Sequence, residues 1–456
     1  MTDYLNTLTT PISGMYGYND ISSDKLKNDW RWGLIRRYPN GTAPLYALTA
    51  MMKKQASKSD TFKWITKGMP SLRANVTNVY VDNALSSPYV SGGAAYDTLF
   101  VKLETATDRA LFKAGQTVNI GVTSDPSCSC GAEVLSVGTS GANGYVCIRL
   151  LEADDNSVLT VPSTLSDATY IQYTGSAFPH GSTRPEPLSF GNVEYYNYTQ
   201  IFRDPAEATI NSLAEDTFDG SNAWNEKVLD AFMLHSVGIE WALLMGVRSR
   251  DISGVYSSNG QPKSTTGGLI PLLREECPDN YAFFNHETDT YYAGKTFLEA
   301  GLDWISYKLA AMQRFNDSYN SRLTYIGENA LLWIQRAVQS KGDYNLVSGQ
   351  AEFGIKIRKL ITPFGDLDMQ VHPLFSRHPA LTNAMLIMEP RNLVYRYLVG
   401  PDGSRDTKLV PVDTGLNTGA GRDAKTAEYF TECGLEVHKL DTFGFLGGIG
   451  TNNNQG

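Results

Sequence analysis

The chain is short of charge, of paired cysteines and of every compact catalytic signature. Only 19% of its 456 residues are charged, and 48 Asp and Glu outnumber 39 Lys and Arg for a net charge of −9. A protein that grips nucleic acid is usually basic, so this balance argues against that role, though not against a container that encloses nucleic acid. The five cysteines, Cys128, Cys130, Cys147, Cys277 and Cys433, are odd in number and scattered. That argues against a disulfide framework and suits a reducing compartment. The first residues lack the charged-then-apolar pattern of a secretion signal, and no apolar run is expected to reach the length of a membrane span. The expectation is a chain made in the cytosol with no membrane partner. A hydrophobic fraction of 42% places it among folded globular proteins, with length for two or three domains.

Catalytic patterns are missing as well. Neither GxSxG nor GxxxxGK[ST] occurs. Gly267-Gly268 after Thr265-Thr266 resembles a phosphate loop but lacks the lysine and the preceding strand. Cys128-Ser-Cys130 with Cys147 supplies three thiols, yet no second CxxC or spaced histidine pair completes a zinc site. Buried or free thiols are expected instead. His180, His235, His286, His372, His378 and His438 are dispersed, and the His-Pro pairs at 372 and 378 are expected to order turns. Glu240 sits within an apolar helix pattern. A carboxylate there suits acid–base work, but an ion pair with Arg248 or Arg250 is the expectation. The chain is therefore read as a non-enzyme with no catalytic residue, no cofactor and no metal.

What is present centres on Ser221 to Met245. Leu229, Phe232, Met233, Ser236, Ile239, Leu243 and Val247 recur at helical spacing, with Leu234, Val237, Trp241 and Met245 as a second stripe. Such a helix needs cover on two sides and spans roughly 35 Å. Ser221 is the expected N-cap and Gly246 the stop.

Around this spine the chain changes character. Residues 1–45 read as an irregular arm in which Trp30, Trp32, Arg36 and Arg37 suit contact with another surface or with its own domain. A short helix is expected over Ala43 to Lys54, and a strand from Val76 to Asp82. From 96 to 178, short β-rich runs at 99–103, 117–122, 133–138, 145–151, 157–161 and 169–173 predict a separable small barrel or antiparallel sheet. VEYYNYTQIF, 193–202, reads as one long strand. It carries Tyr196, Tyr198 and Phe202 on one face and Tyr195 on the other, so its own fold or a neighbour must cover both. A short helix within 205–218 is expected before the spine. After the spine, a loop from Asp251 to Thr266 precedes GGLIPLL. Two helices then follow, marked by Phe297 to Met312 and by Tyr325 to Val338. A hairpin turns at Pro363 to Asp366, buried strands flank Pro390, residues 413–424 form a loop, and the tail after the last apolar run is expected to be disordered.

The order of these parts resembles the major capsid proteins of tailed bacteriophages, in the branch with a β-rich insertion before the spine helix. NYTQIFRDPAEAT, KVLDAFMLHSVGIEWALLMG, STTGGLIPLL, the FGIKIRKLITPFGDLDMQVHPLF hairpin with AMLIMEPRNLVYRYL, and AEYFTECGLEVHKLDTFGFLGGI carry the likeness over about two thirds of the chain. The resemblance implies an α+β, Hong Kong 97-like capsid fold with an inserted small β-barrel-like domain. Its parts would be an N-terminal arm at 1–45, an extended loop at 46–95 and 179–203, and the inserted β domain at 96–178. A peripheral domain would take 204–274 and 351–383, an axial domain 275–350 and 384–426, and a closing strand and tail 427–456.

It further implies a subunit that self-assembles as hexamers and pentamers into an icosahedral shell around double-stranded DNA, without sequence-specific binding. Implied partners are copies of itself, a portal protein at one vertex, and scaffolding, protease and decoration proteins. The implied location is the virion capsid, after assembly in the host cytoplasm. Trp30, Trp32, Arg36, Arg37, Tyr195, Tyr196, Tyr198 and Phe202 become the candidate intersubunit contacts. The arm lacks the heptads of the long scaffolding segment found in many relatives, which implies scaffolding in trans or prior processing. The rival readings are a bacterial nanocompartment shell and a surface or carbohydrate-binding protein.

Overall fold

The computed structural model describes residues 53–68, 72–124, 129–154, 165–182, 187–214, 223–313, 321–341, 346–348, 358–401, 403–413 and 424–450. Ile65–Val193 forms one compact unit and the flanking chain forms the other. The chain begins, among these residues, with strands β1 (Lys53–Ser57) and β2 (Thr61–Thr66). Lys53 and Lys54 are thus extended, not helical, and the rest of the expected 43–54 helix lies outside the described residues, as does the arm.

The Ile65–Val193 unit is built from β3 (Arg73–Tyr80), β4 (Thr98–Leu103), β5 (Gln116–Gly121), β6 (Ser129–Ser140), β7 (Asn143–Leu150) and β8 (Tyr170–Ser176). They close into a barrel in the order β3-β4-β7-β6-β5-β8. Side chains alternate between faces of a strand, and the inner set is apolar: Leu99, Val101 and Leu103 on β4, Val118 and Ile120 on β5, Val146, Ile148 and Leu150 on β7. Closure depends on β3, which pairs with β4 on one side and with β8 on the other through Ala74↔Ile171. The barrel therefore starts before residue 96. The composition shift near 96 marks the end of a loop, and the pairing that closes a barrel leaves no local trace. The run at 157–161 lies outside the described residues.

The second unit follows with β9 (Val193–Tyr198), β10 (Gln200–Thr209), a single turn α1 (Ile210–Ala214) and the spine α2 (Ala223–Met245). Next come β11 (Ser249–Asp251), β12 (Lys263–Thr265), α3 (Leu269–Glu276), β13 (Tyr281–Phe283), α4 (Phe297–Gln313), β14 (Ser321–Ile326), α5 (Glu328–Lys341) and β15 (Leu346–Ser348). The chain closes with β16 (Arg358–Thr362), β17 (Gly365–Val371), β18 (Met385–Met388), β19 (Leu393–Gly400), β20 (Gly403–Ser404), β21 (Lys408–Asp413), β22 (Ala424–Val437) and β23 (Gly444–Gly447). Tyr325 lies in β14, which ends at Ile326, and does not begin the second helix. The hairpin at Pro363-Phe364 joins β16 to β17 with Thr362 opposite Gly365.

A seven-stranded sheet, β13-β23-β18-β14-β17-β16-β15, is the middle layer. Strand β18 shows how it is covered. Met385 and Ile387 enter one core with Leu302, Ile305 and Leu309 of α4 and Ile334 of α5, while Leu386 and Met388 enter another with Ile239 and Leu243 of α2 and Leu272 of α3. A strand buried on both faces reads as a continuous apolar run, as MLIM does. A second sheet, β1-β19-β22-β10, carries β20 and β21 at its side.

These ladders do not follow the expected partition into 204–274 with 351–383 and 275–350 with 384–426. Strand β14 pairs with β17, and β10 pairs with β22 over Gln200↔Cys433 to Thr209↔Ala424. Sheets recruit strands distant in sequence, and hydrophobic period gives no information about the partner.

Candidate assembly surface

The buried side of α2 is a row one turn apart, Ala231, His235, Ile239 and Leu243, with Glu240 and Leu244 beside it. Two of these are polar and wholly buried, so each must find a partner. His235 Nδ1 lies 2.6 Å from Asp204 Oδ2 on β10, and its Nε2 lies 2.7 Å from Thr431 Oγ1 on β22. The Thr431 hydroxyl also reaches Thr407 Oγ1 at 2.9 Å. On the other flank, Glu240 Oε1 lies 2.7 Å from His372 Nε2, both side chains at 0% exposure. His372 Nδ1 accepts the Leu374 N–H at 3.2 Å, so Nε2 carries the proton that is donated to Glu240. Burial and the Glu240 charge push the Tyr325 phenol well up.

The expected partners of Glu240 are corrected here. Arg248 pairs with Glu275 and Glu276 at 3.1 Å each, and Arg250 pairs with Asp60 at 2.6 Å. Both arginines lie beyond the end of the helix at Met245, whereas His372 enters from the turn after β17. His372 and His378 do order turns, each accepting an N–H from two residues on. The Gly-Gly segment has a packing role. A Cβ on Gly268 would meet Leu244 C at 2.7 Å, and one on Gly246 would meet Thr266 O at 2.6 Å. Only glycine allows the two backbones to pass this closely.

The expected single strand over 193–202 is two. Strand β9 pairs with β2, and β10 leaves it for β22. The break is held at Asn197 and Thr199, both buried. The Asn197 amide donates to Gly267 O at 3.0 Å and Leu435 O at 2.7 Å, and its Oδ1 accepts from Gly267 N–H at 2.7 Å. The Thr199 N–H donates to Asp60 O at 2.8 Å, and its hydroxyl to Glu432 Oε1 at 3.2 Å.

Among the sequence-predicted contact residues, Phe202 is buried in the subunit's own core beside His235. Tyr195 stacks on Trp64 at 6.0 Å, Tyr196 lies exposed under the Arg248 guanidinium at 4.1 Å, and Tyr198 is half-buried against Tyr196. Trp30, Trp32, Arg36 and Arg37 lie outside the described residues.

Sequence reasoning missed which way the spine faces. Leu229, Phe232 and Leu234 are 51%, 39% and 69% exposed, so the half of α2 near its start leaves apolar side chains open on more than one side. By length and composition, Trp224–Met245 would even pass as a membrane crossing, against the expectation of none, with 33% of the tested stretch buried. The buried, partnered His235 and Glu240 mark it instead as one layer of a folded core. A second apolar surface is the loop after β11, where Ile252, Val255 and Tyr256 are 71%, 72% and 87% exposed. The only sequence signal was apolar residues placed where a loop was expected.

The described thiols are poor nucleophiles. Burial pushes Cys433 up to about 12, and burial with the nearby Asp441 pushes Cys277 up to about 12. Cys130 and Cys147 are buried, and Cys128 lies outside the described residues. No group of three His, Cys, Asp or Glu among the described residues is placed to hold a metal ion.

A curated major capsid protein of Pseudomonas phage PaMx41 is 23% identical over 413 residues, covering 89% of this chain and 88% of that one. Solved structures with similar folds include one from Microbacterium phage Oxtober96, at 11% identity and TM-score 0.41, covering 95% of this chain and 99% of that chain. Another is the capsid of a native GTA particle, at 9% identity and TM-score 0.40, covering 96% and 99%. The holo-SrpI encapsulin complex of Synechococcus elongatus matches at 12% identity and TM-score 0.36, covering 57% and 76%. The family model described as SU10 major capsid protein matches residues 12–450, and the chain belongs to the SU10 major capsid protein family.

Proposed function

We propose that copies of this chain close, as hexamers and pentamers, into an icosahedral shell around the double-stranded DNA of a tailed phage. The observation that carries this reading is the family match over residues 12–450. The exposed apolar side chains of α2 support it, because shell subunits bury surface that a single chain leaves open. A net charge of −9 suits a wall that does not adhere to packaged DNA. In this reading the subunit is laid out in the Hong Kong 97 manner. The Ile65–Val193 unit is then a clamp between neighbours at the outer surface or a local axis. The residues before 53 are an arm for a neighbouring copy, and portal, scaffolding, protease and decoration proteins are further partners. Assembly takes place in the host cytoplasm. Electron microscopy of purified protein tests the reading: closed icosahedral shells or hexameric sheets are expected, and small monodisperse particles would sink it.

A further inference from the structure

The loop between β11 and β12 is braced at one end and open at the other. The Asp251 carboxylate accepts from Ser253 Oγ at 2.8 Å and from the N–H groups of Gly254 and Tyr256 at 3.0 and 2.9 Å. None of this bracing uses the side chains of Ile252, Val255 or Tyr256, which stand out as a knob. Gly254 has φ +68°, and a Cβ there would meet Gly260 O at 2.4 Å and Gln261 N at 3.0 Å. The Gly260–Gln261 peptide thus lies against the braced end. Asn259, just before that peptide, is exposed, and so is Gly260.

Asparagine followed by glycine is a reactive pair. With no side chain on the glycine, its backbone nitrogen can swing onto the asparagine's side-chain carbon. The geometry at 259–260 favours that attack. Asn259 Oδ1 accepts the Gln261 N–H at 3.2 Å, which folds the side chain back over the Gly260 backbone as an Asx turn. The same N–H lies where the oxygen gains negative charge when the carbon is attacked. The Gly260 N–H reaches Ser257 O at 3.4 Å, longer than a normal hydrogen bond, so little holds the nitrogen back. We infer that Asn259 is a site of spontaneous deamidation. The Gly260 nitrogen bonds to Asn259 Cγ and gives up its proton, the Cγ–Nδ2 bond breaks, and Nδ2 leaves as ammonia. Water then opens the cyclic imide. Breaking the bond from nitrogen to Cγ yields aspartate, and breaking the bond to the backbone carbonyl carbon yields isoaspartate. Either product adds a negative charge beside the knob, and isoaspartate also lengthens the main chain. The chemistry needs no partner and does not depend on the capsid reading.

The other Asn-Gly pair among the described residues is the contrast. Asn143 and Gly144 lie in β7 opposite Ser140 and Thr139, and a Cβ on Gly144 would meet Ala106 O at 2.5 Å. Turning the Gly144 nitrogen onto its neighbour's side chain requires that ladder to open first.

Purified full-length chain, held in mildly alkaline buffer and mapped by peptide mass spectrometry, tests the inference. The peptide that carries Asn259 is expected to gain the mass of an amide-to-acid exchange and to become a substrate for isoaspartate methyltransferase. Asn143 should lag it by about tenfold or more, because its ladder must open first. In denaturant the two sites should convert alike. Asn259→Gln changes only an exposed side chain and moves the amide carbon out of reach of the Gly260 nitrogen, so its loop peptide should keep its mass. An Asn259 that keeps its amide, or equal rates at the two sites in the folded chain, overturns the inference. So does a gap that persists in denaturant, since the folded backbone would then not be its cause. A loop peptide that still gains the mass in Asn259→Gln places the chemistry at another residue and overturns the assignment.

Discussion

The barrel and the spine helix treat apolar side chains in opposite ways. On β4, Leu99, Val101 and Leu103 all point into a core that six strands of one chain complete. On α2, the buried side includes His235 and Glu240, while Leu229 and Leu234 face outward. The barrel closes its apolar core within one chain, while α2 leaves part of its apolar surface exposed. In the proposed shell, the buried polar groups of α2 would fix its position and the exposed apolar ones would meet a neighbour.

The sharpest way to break this comparison is to place the same residue in both regions. Val101→Asp puts a charge in the barrel core and is expected to cost more than about 4 kcal/mol. Leu229→Asp on the open helix face should change subunit stability by only about 0.5 kcal/mol yet abolish shells. Denaturant unfolding and microscopy measure the two effects, and equal destabilisation would end the distinction.

Next in size is the anchor on the covered side. Glu240→Ala leaves His372 Nε2 without its buried acceptor and should cost about 3 kcal/mol, toward the lower end for a broken buried pair. A double-mutant cycle with His372→Ala should return a coupling between about 0.5 and 3 kcal/mol. Additive losses would mean that the contact contributes nothing.

Removing residues 67–192 and joining β2 to β9 with a Gly-Ser linker tests whether the barrel is separable. The cut must include β3, since one at residue 95 would divide the barrel. Folded subunits whose shells lose heat resistance are expected. An unfolded subunit would show that the remaining core depends on the barrel.

The smallest effect concerns acid. Burial works to raise the Glu436 carboxyl, but hydrogen bonds from His438 and Arg396, with the Arg396 charge, outweigh it and hold it below its ordinary 4.5. A depressed folded value adds stability that is present above 4.5 and lost as pH falls through the folded value. Glu436→Gln should therefore lower stability at pH 7 and flatten its decline below pH 4.5; an unchanged slope would remove Glu436 from the acid response.

Elements that depend on near neighbours were legible. The 3.6-residue period gave the helix at Ala223–Met245 within two residues of its expected start, and short β-rich runs between turn residues gave five of the described barrel strands. The break inside 193–202 was not legible, because Thr199 bends the chain toward Asp60 and Glu432, 139 and 233 residues away. The partner of Glu240 lies 132 residues on, and no spacing rule reaches that far. The exposed knob at 252–256 was hidden too, since loop composition does not say which side chains a brace such as Asp251 turns outward.

By itself the sequence determined the α+β class, the spine and most of the strands, because local sterics and hydrophobic period act between residues a few positions apart. Its ordered likeness to phage capsid proteins determined the family. Only the tertiary structure decided which strands share a sheet, which histidine meets which carboxylate, and which side chains of the spine stay exposed. Those outcomes depend on pairing and burial summed over segments hundreds of residues apart, and burial is a property of the folded chain.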